Sequence, residues 1–99
     1  MEAIVRESLS IQAERYSIVI LDSENGTLLD YARMGELPPT EAAEIVWKLY
    51  QSLSSVYGRE TPIEADIVTP DRYVKIVSEP EAGIVRGVVT TYAPSDYLV

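Results

Sequence analysis

The acidic stretch VILDSENGTLLDY, residues 19–31, contains the side chains of this sequence that are best suited to chemistry. Asp22 and Glu24 could bind a divalent cation or act as a pair of catalytic carboxylates. An EF-hand loop that started at Asp22 would need glycine where Thr27 stands and glutamate where Arg33 stands. The calcium pattern therefore fails, and a catalytic pair would need one carboxyl buried enough to raise its pKa.

The same stretch has the chemistry of a tight turn. Asn25 and Gly26 form an Asn-Gly pair, which readily supplies the positive φ angles of a hairpin, and Asp22 can accept bonds from nearby amides. Glu79 and Glu81 flank a proline and form a second acidic turn. We therefore predict two solvated turns, with no catalytic, cofactor-binding or metal-ligating residue in either.

Length and composition exclude several classes of active site. The chain has 99 residues, which favours a single domain over residues 1–99, and it contains neither cysteine nor histidine. Disulfides, thiolate zinc sites, cysteine nucleophiles and a histidine general base are therefore excluded. We expect no enzyme and no cofactor.

The charge balance bears on the partners. The formal net charge is −8 and the eight Lys and Arg residues are scattered, so we expect no nucleic-acid partner. An acidic surface suits basic protein partners, or simply keeps a protein in solution. The sequence has no signal-peptide pattern and no apolar run of roughly 18 residues, which predicts a cytoplasmic protein without membrane insertion. The chain has few Asn and Gln residues, and 24% of its residues are charged. Both features are tendencies of hyperthermophile proteins.

One long helix is predicted after the proline pair of GELPPT. Thr40 has the chemistry of an N-cap, and Glu41 and Glu44 follow in the first turns, where acids favour the helix dipole. Gly58 is a suitable C-cap. Apolar residues recur between these ends at spacings of three and four, which predicts a core-facing stripe. The stripe consists of Ala42, Ile45, Val46, Leu49, Leu53 and Val56.

The expected fold is α+β, with a single five-stranded antiparallel sheet, one long helix across a face and a short N-terminal helix. Residues 15–22 and 83–92 are apolar on both faces and belong in the middle of the sheet, which should be covered on both sides. Residues 63–69 alternate and form an edge. Residues 1–15 fit a short helix or a strand, and we favour the helix. The remaining strands are predicted at residues 26–34 and 72–78.

A second stripe lies beside the core-facing one on the predicted helix. It widens the apolar arc to roughly 200°, beyond the stripe expected of a simple surface helix. Trp and Tyr are enriched at interface hot spots, so we favour an interface. The alternatives are that the same side chains cover the rim of their own sheet or lie under the N-terminal segment. The second stripe consists of Ala43, Trp47, Tyr50 and Ser54.

Arg86 is the other unusual residue, because it stands on a strand that is otherwise apolar. It can pair with an acidic residue across the sheet, or it can reach solvent along its apolar stem. A ligand contact is the third interpretation. Of the three, we favour the ion pair.

The order of elements resembles the Roadblock family of small domains, the dynein light-chain type. The likeness covers most of residues 16–92 and rests on the strand–turn–strand VILDSENGTLL, the helix TEAAEIVWKLYQSLSSVYG and the meander with its TPDRY turn. Longin-like and profilin-like domains are similar in the same arrangement. The chain departs from the family after Tyr92, where APSDYLV is too short for a closing helix.

The resemblance implies a non-enzymatic homodimer that regulates small Ras-like GTPases or serves as a scaffold for them. In such dimers the long helices of two subunits pack together and the edge strands can join into one sheet. Carried over to this chain, the dimer contact combines the second stripe with the edge strand. It comprises Ala43, Trp47, Tyr50, Ser54, Glu64, Asp66 and Val68.

Like charges favour a variant in which only the helices pair. Glu64 and Asp66 would meet their own copies across a two-fold axis, and like charges are a known device against edge pairing. In either form, Trp47→Glu is predicted to break the dimer. The alternative function is a small-molecule sensor with a pocket between helix and sheet near Arg86. An enzyme comes third, because no residue set forms a nucleophile–base pair.

Overall fold

The computed structural model describes residues 16–91. The predicted N-terminal helix falls within residues 1–15 and so lies outside the described residues. The described part is a single five-stranded antiparallel sheet with one long helix, as predicted. Its elements are β1 (Tyr16–Asp22), β2 (Leu28–Met34), α1 (Pro39–Tyr57), β3 (Glu64–Thr69), β4 (Arg72–Glu79) and β5 (Ile84–Thr91), with a 3-10 turn at Pro80–Ala82 between β4 and β5.

The strand order in the sheet is β2-β1-β5-β4-β3. The two strands with apolar residues on both faces, β1 and β5, pair with each other inside the sheet, as their sequences predict. The alternating strand β3 forms one edge, also as predicted, and β2 forms the other. Short turns join β1 to β2 and β3 to β4, so both edges are ends of hairpins.

The helix begins one residue before the predicted N-cap. Pro38 occupies the N-cap position in extended conformation, without a side-chain cap bond, and Pro39 opens the first turn. Thr40 therefore lies inside α1, and its prediction as N-cap is wrong. Proline suits this first position because its φ is already helical and its missing amide would have no partner there. The predicted C-cap is confirmed, since Gly58 has φ 92° and its amide donates to the Ser54 carbonyl at 2.8 Å.

The core lies between α1 and one face of the two central strands. Gly87 of β5 allows the closest approach, because a Cβ there would lie 2.3 Å from Cγ2 of Val46. The Val46 side chain of the helix thus packs directly on the backbone of β5, which explains the glycine in the middle of that strand. The fully buried apolar residues around this contact are Val19, Leu21, Ala42, Val46, Ile76, Val85 and Val89.

The sheet face away from α1 is also rich in apolar side chains. Ile18 and Ile20 of β1 and Val88 of β5 alternate with the buried residues and are half-buried. The sequence predicts a sheet covered on both sides, but within residues 16–91 a helix covers one side. The described core is therefore one layer of helix on one layer of sheet.

Candidate interaction surfaces

The acidic stretch between β1 and β2 is a turn, as predicted. The Gly26 amide donates to the Asp22 carbonyl at 2.9 Å, and the Asp22 carboxylate accepts from the Glu24 amide at 2.8 Å. Gly26 has φ 76°, whereas Asn25 keeps a negative φ and uses its side chain to accept from the Thr27 amide. Among residues 16–91, no three acidic side chains come close enough together to hold a metal ion.

One flank of α1, the closed flank, carries the second stripe of Ala43, Trp47, Tyr50 and Ser54. Tyr50 is 2% exposed and Ala43 is buried, so both contribute to the core of their own chain. The ring centroids of Trp47 and Tyr50 lie 5.7 Å apart. The Trp47 ring lies against the β1–β2 turn, because a Cβ on Gly26 would be 2.6 Å from it. What this flank leaves accessible is part of Trp47 and Ser54.

Arg59 ties the closed flank to the same turn. Its Nη2 donates to the carbonyls of Ser23 at 2.7 Å and Glu24 at 3.1 Å, which lie 36 and 35 residues earlier in the chain. A cleft of about 310 Å³ lies between the turn and the second half of α1. Its lining combines aromatic, charged and hydroxyl groups, namely Glu24, Trp47, Tyr50, Gln51, Ser54, Ser55 and Arg59.

The opposite flank of α1, the open flank, faces β3 and β4 across a groove of about 320 Å³. Ile45 and Leu49 of the helix and Ile67 of β3 line the groove and are half-buried, while Val74 forms its floor. Val56 continues this flank and is 72% exposed, so its assignment to the core-facing stripe is wrong. The groove is apolar apart from its rim of Lys48, Thr69 and Arg72.

The sequence did not reveal the open flank because Ile45 and Leu49 have the spacing of core residues. The helix lies over β1 and β5 and makes fewer contacts with β2 and β4. Residues on the β3 side of α1 therefore have apolar neighbours on one side and open space on the other. The wide apolar arc of the helix does indicate more apolar surface than the core needs, but the residues that widen it lie on the other flank.

The predicted edge residues Glu64, Asp66 and Val68 lie on the sheet face away from α1, because Ala65 and Ile67 alternate with them toward the helix. Glu64 pairs with Lys75 at 3.2 Å. The Tyr73 hydroxyl donates to Asp66 at 2.5 Å, and partial burial together with this bond raises the pKa of Tyr73 to about 12. The two halves of the predicted dimer contact are thus not brought together.

Arg86 lies on the same face away from the helix. Its neighbours Val85 and Gly87 point toward α1, so Arg86 points the other way. Its Nε lies 3.3 Å from the Glu79 carboxylate, which is the favoured ion pair. Because Arg86 points away from α1, it does not line the pocket between the helix and the sheet that the alternative function predicted.

No protein-family model and no curated protein matches this chain. Within residues 16–91, no helix combines the length and the apolar character that crossing a membrane requires. What the structure defines is therefore a class, an α+β domain with one helix on a five-stranded antiparallel sheet.

Proposed function

We propose that this protein is a non-enzymatic homodimeric interaction module, which regulates small Ras-like GTPases or serves as a scaffold for them. The observation that carries the proposal is the open flank, an apolar groove between α1 and the β3–β4 hairpin. The likeness of its strand–turn–strand, helix and meander to the Roadblock family supports the partner class.

The open flank suits a contact between two copies of the chain. Fully burying an exposed aliphatic side chain contributes about 1.5–3 kcal/mol, and a two-fold axis makes each contact twice. Leu49 and Ile67 are half-buried, so each would contribute part of this amount from both subunits. The groove also adjoins the edge strand β3, so helix and edge can enter one interface from the same side.

The closed flank offers less to a partner. Ala43 and Tyr50 already contact their own core, and Trp47 rests on the turn at Gly26. We therefore place the centre of the contact on the open flank, and keep Trp47 and Ser54 as the other candidate positions. Glu64 and Asp66 lie on the opposite sheet face, where like charges disfavour pairing of β3 with its own copy.

The dimer is tested by light scattering over a hundredfold range of protein concentration. We expect a stable molar mass near twice 11.0 kDa. A mass that stays at 11.0 kDa throughout would reject the homodimer and with it the use of the open flank by a second copy.

The partner class is tested separately, with purified Ras-like GTPases from the source cell immobilised in their GDP and GTP-analogue forms. We expect the dimer to bind at least one of them in a nucleotide-dependent way. A dimer that binds none of these GTPases in either form would reject the regulatory role while leaving the dimer in place.

The second candidate function is small-molecule binding, which the cleft on the closed flank favours. A cleft of about 310 Å³ that combines Trp47, Tyr50 and Arg59 falls in the size range of small-ligand sites. Trp47 is the single tryptophan of the chain, so its fluorescence reports on this cleft directly. A nucleotide or metabolite that raises the melting temperature and changes Trp47 emission would favour this function. A screen without either signal would reject it.

A further inference from the structure

The two edges of the sheet differ in how they meet solvent. On β3, Glu64 and Asp66 are engaged by Lys75 and Tyr73 of the neighbouring strand. On β2, six of the seven residues are exposed. The large apolar side chains among them are Leu29, Tyr31 and Met34, which are 54%, 58% and 52% exposed. A long apolar edge of this kind is a template for pairing with another strand.

The outward side of β2 has an amide available for such pairing. Within residues 16–91, β2 pairs with β1 alone. The Tyr31 amide donates to the carboxylate of its neighbour Asp30 at 2.8 Å, so it points away from β1. An incoming carbonyl could take this amide from Asp30, and the released carboxylate would then favour a cation beside it.

We propose that the β2 edge is a strand-addition site for an extended basic segment of another protein. The segment adds a sixth strand beside β2 and bonds to the outward amide of Tyr31. Its cationic side chains lie beside Asp30, and its apolar side chains lie beside Tyr31 on the other face. The formal net charge of −8 attracts basic segments to the protein as a whole, and Asp30 is the acidic side chain that selects for them on this edge.

A second copy of this chain fits the edge less well. When a two-fold axis perpendicular to the sheet relates two β2 strands, directly opposed residues point to the same face of the joined sheet. Asp30 pairs with Ile20 and Arg33 pairs with Ser17, and the side chains of Ile20 and Ser17 point to opposite faces of the sheet. Asp30 and Arg33 therefore also point to opposite faces. No such register brings Asp30 against Arg33 of the copy, so both carboxylates would be left without a cation.

The test uses isotope-labelled full-length protein and three synthetic peptides of eight residues with capped ends. The first alternates lysine and valine, the second alternates glutamate and valine, and the third repeats the first with N-methylated valines. We expect the lysine peptide to shift the amide signals of β2 and to slow hydrogen exchange at Tyr31. The glutamate peptide should bind roughly tenfold more weakly or worse, and the N-methylated peptide should leave exchange unchanged.

Protein variants separate the backbone from the side chains. Tyr31→Pro removes the outward amide without removing a bond to β1, and should abolish binding of the lysine peptide. Tyr31→Thr keeps the amide and is the matched control, which should still bind. Asp30→Asn keeps an acceptor but loses the charge, and should weaken binding of the lysine peptide roughly tenfold. If Tyr31→Pro does not fold, the N-methylated peptide makes the same comparison on the native chain.

Three results would overturn the proposal. The first is equal binding of the lysine and glutamate peptides, and the second is a set of peptide-induced shifts that leaves the β2 signals unchanged. The third is slow exchange of the Tyr31 amide in the free protein, which would mean that the edge is already covered. These readouts are independent of the molar mass that tests the open flank, so either proposal can fail without the other.

Discussion

The two flanks of α1 border clefts of similar volume, about 310 and 320 Å³, but different residues line them. On the closed flank, the β1–β2 turn packs against Trp47, and Arg59, which follows the helix, donates a hydrogen bond to the backbone of that turn. On the open flank, a groove separates Ile45 and Leu49 from β3. The difference teaches that amphipathicity shows which residues avoid water, but does not show whether their own chain or a partner covers them.

Geometry explains why one flank stays open. Adjacent strands lie about 4.8 Å apart, so the outer two of five strands are about 19 Å from each other. A helix with its side chains is about 10–12 Å wide. One helix therefore cannot cover the whole face, and α1, placed over β1 and β5, leaves the β3 side uncovered.

Truncation of the two flanks should give the largest contrast in stability. Tyr50→Ala removes a ring that is 2% exposed and should lower the free energy of unfolding by about 3–5 kcal/mol. Leu49→Ala removes a half-buried side chain and should lower it by about half as much, when measured in urea at protein concentrations that give monomer. Equal losses would mean that both flanks are packed alike, and the distinction between them would fail.

The contact between Trp47 and the turn can be broken from the turn side. Gly26→Ala would place a Cβ 2.6 Å from the Trp47 ring at a positive φ, and should lower the free energy of unfolding by about 2–4 kcal/mol. Gly83→Ala is the matched control, because it has a similar φ of 69° and nothing within 4 Å of the added carbon. It should lower the free energy by about 1 kcal/mol. Equal effects in thermal unfolding would show that Trp47 is not held against the turn.

The smallest expected effect is the pH dependence at the β3 edge. The pKa of Tyr73 is raised from 10.0 to about 12 by burial and by its bond to Asp66. Because the pKa of Tyr73 is higher in the folded than in the unfolded protein, Tyr73 stabilises the folded state at pH values below the unfolded pKa of 10.0. This stabilisation is lost as the pH rises from 10 toward 12. Tyr73→Phe should therefore show a shallower fall of melting temperature over this window. Identical slopes for the two proteins would contradict a raised pKa of Tyr73 in the folded protein.

Much of the fold follows from local pattern, since alternation in β3 and two-sided apolar runs in β1 and β5 place these strands correctly in the sheet. The start of α1 was missed because Pro39 needs no cap, so Thr40 had no N-cap role to fill. The exposure of Val56 and the open flank depend on where the helix lies across the sheet. That position is set by long-range contacts such as Gly87 against Val46, which the spacing along one helix does not encode.

The central claim is that the open flank, not the closed one, joins two copies of the chain. The most direct test is the molar mass of matched glutamate variants at equal concentration, with circular dichroism to show that each is folded. Leu49→Glu places a charge in the groove, and Trp47→Glu places one on the closed flank. Thr40→Glu is the control, because Thr40 is an exposed residue of α1 that lines neither the groove nor the cleft. If Trp47→Glu does not fold, Ser54→Glu tests the same flank.

We predict a mass near 11.0 kDa for Leu49→Glu and near twice that value for the closed-flank and control variants. For Trp47→Glu this reverses the expectation from the sequence, because Trp47 packs against the turn of its own chain. A dimeric Leu49→Glu together with a monomeric, folded Trp47→Glu or Ser54→Glu would contradict the account and assign the contact to the closed flank.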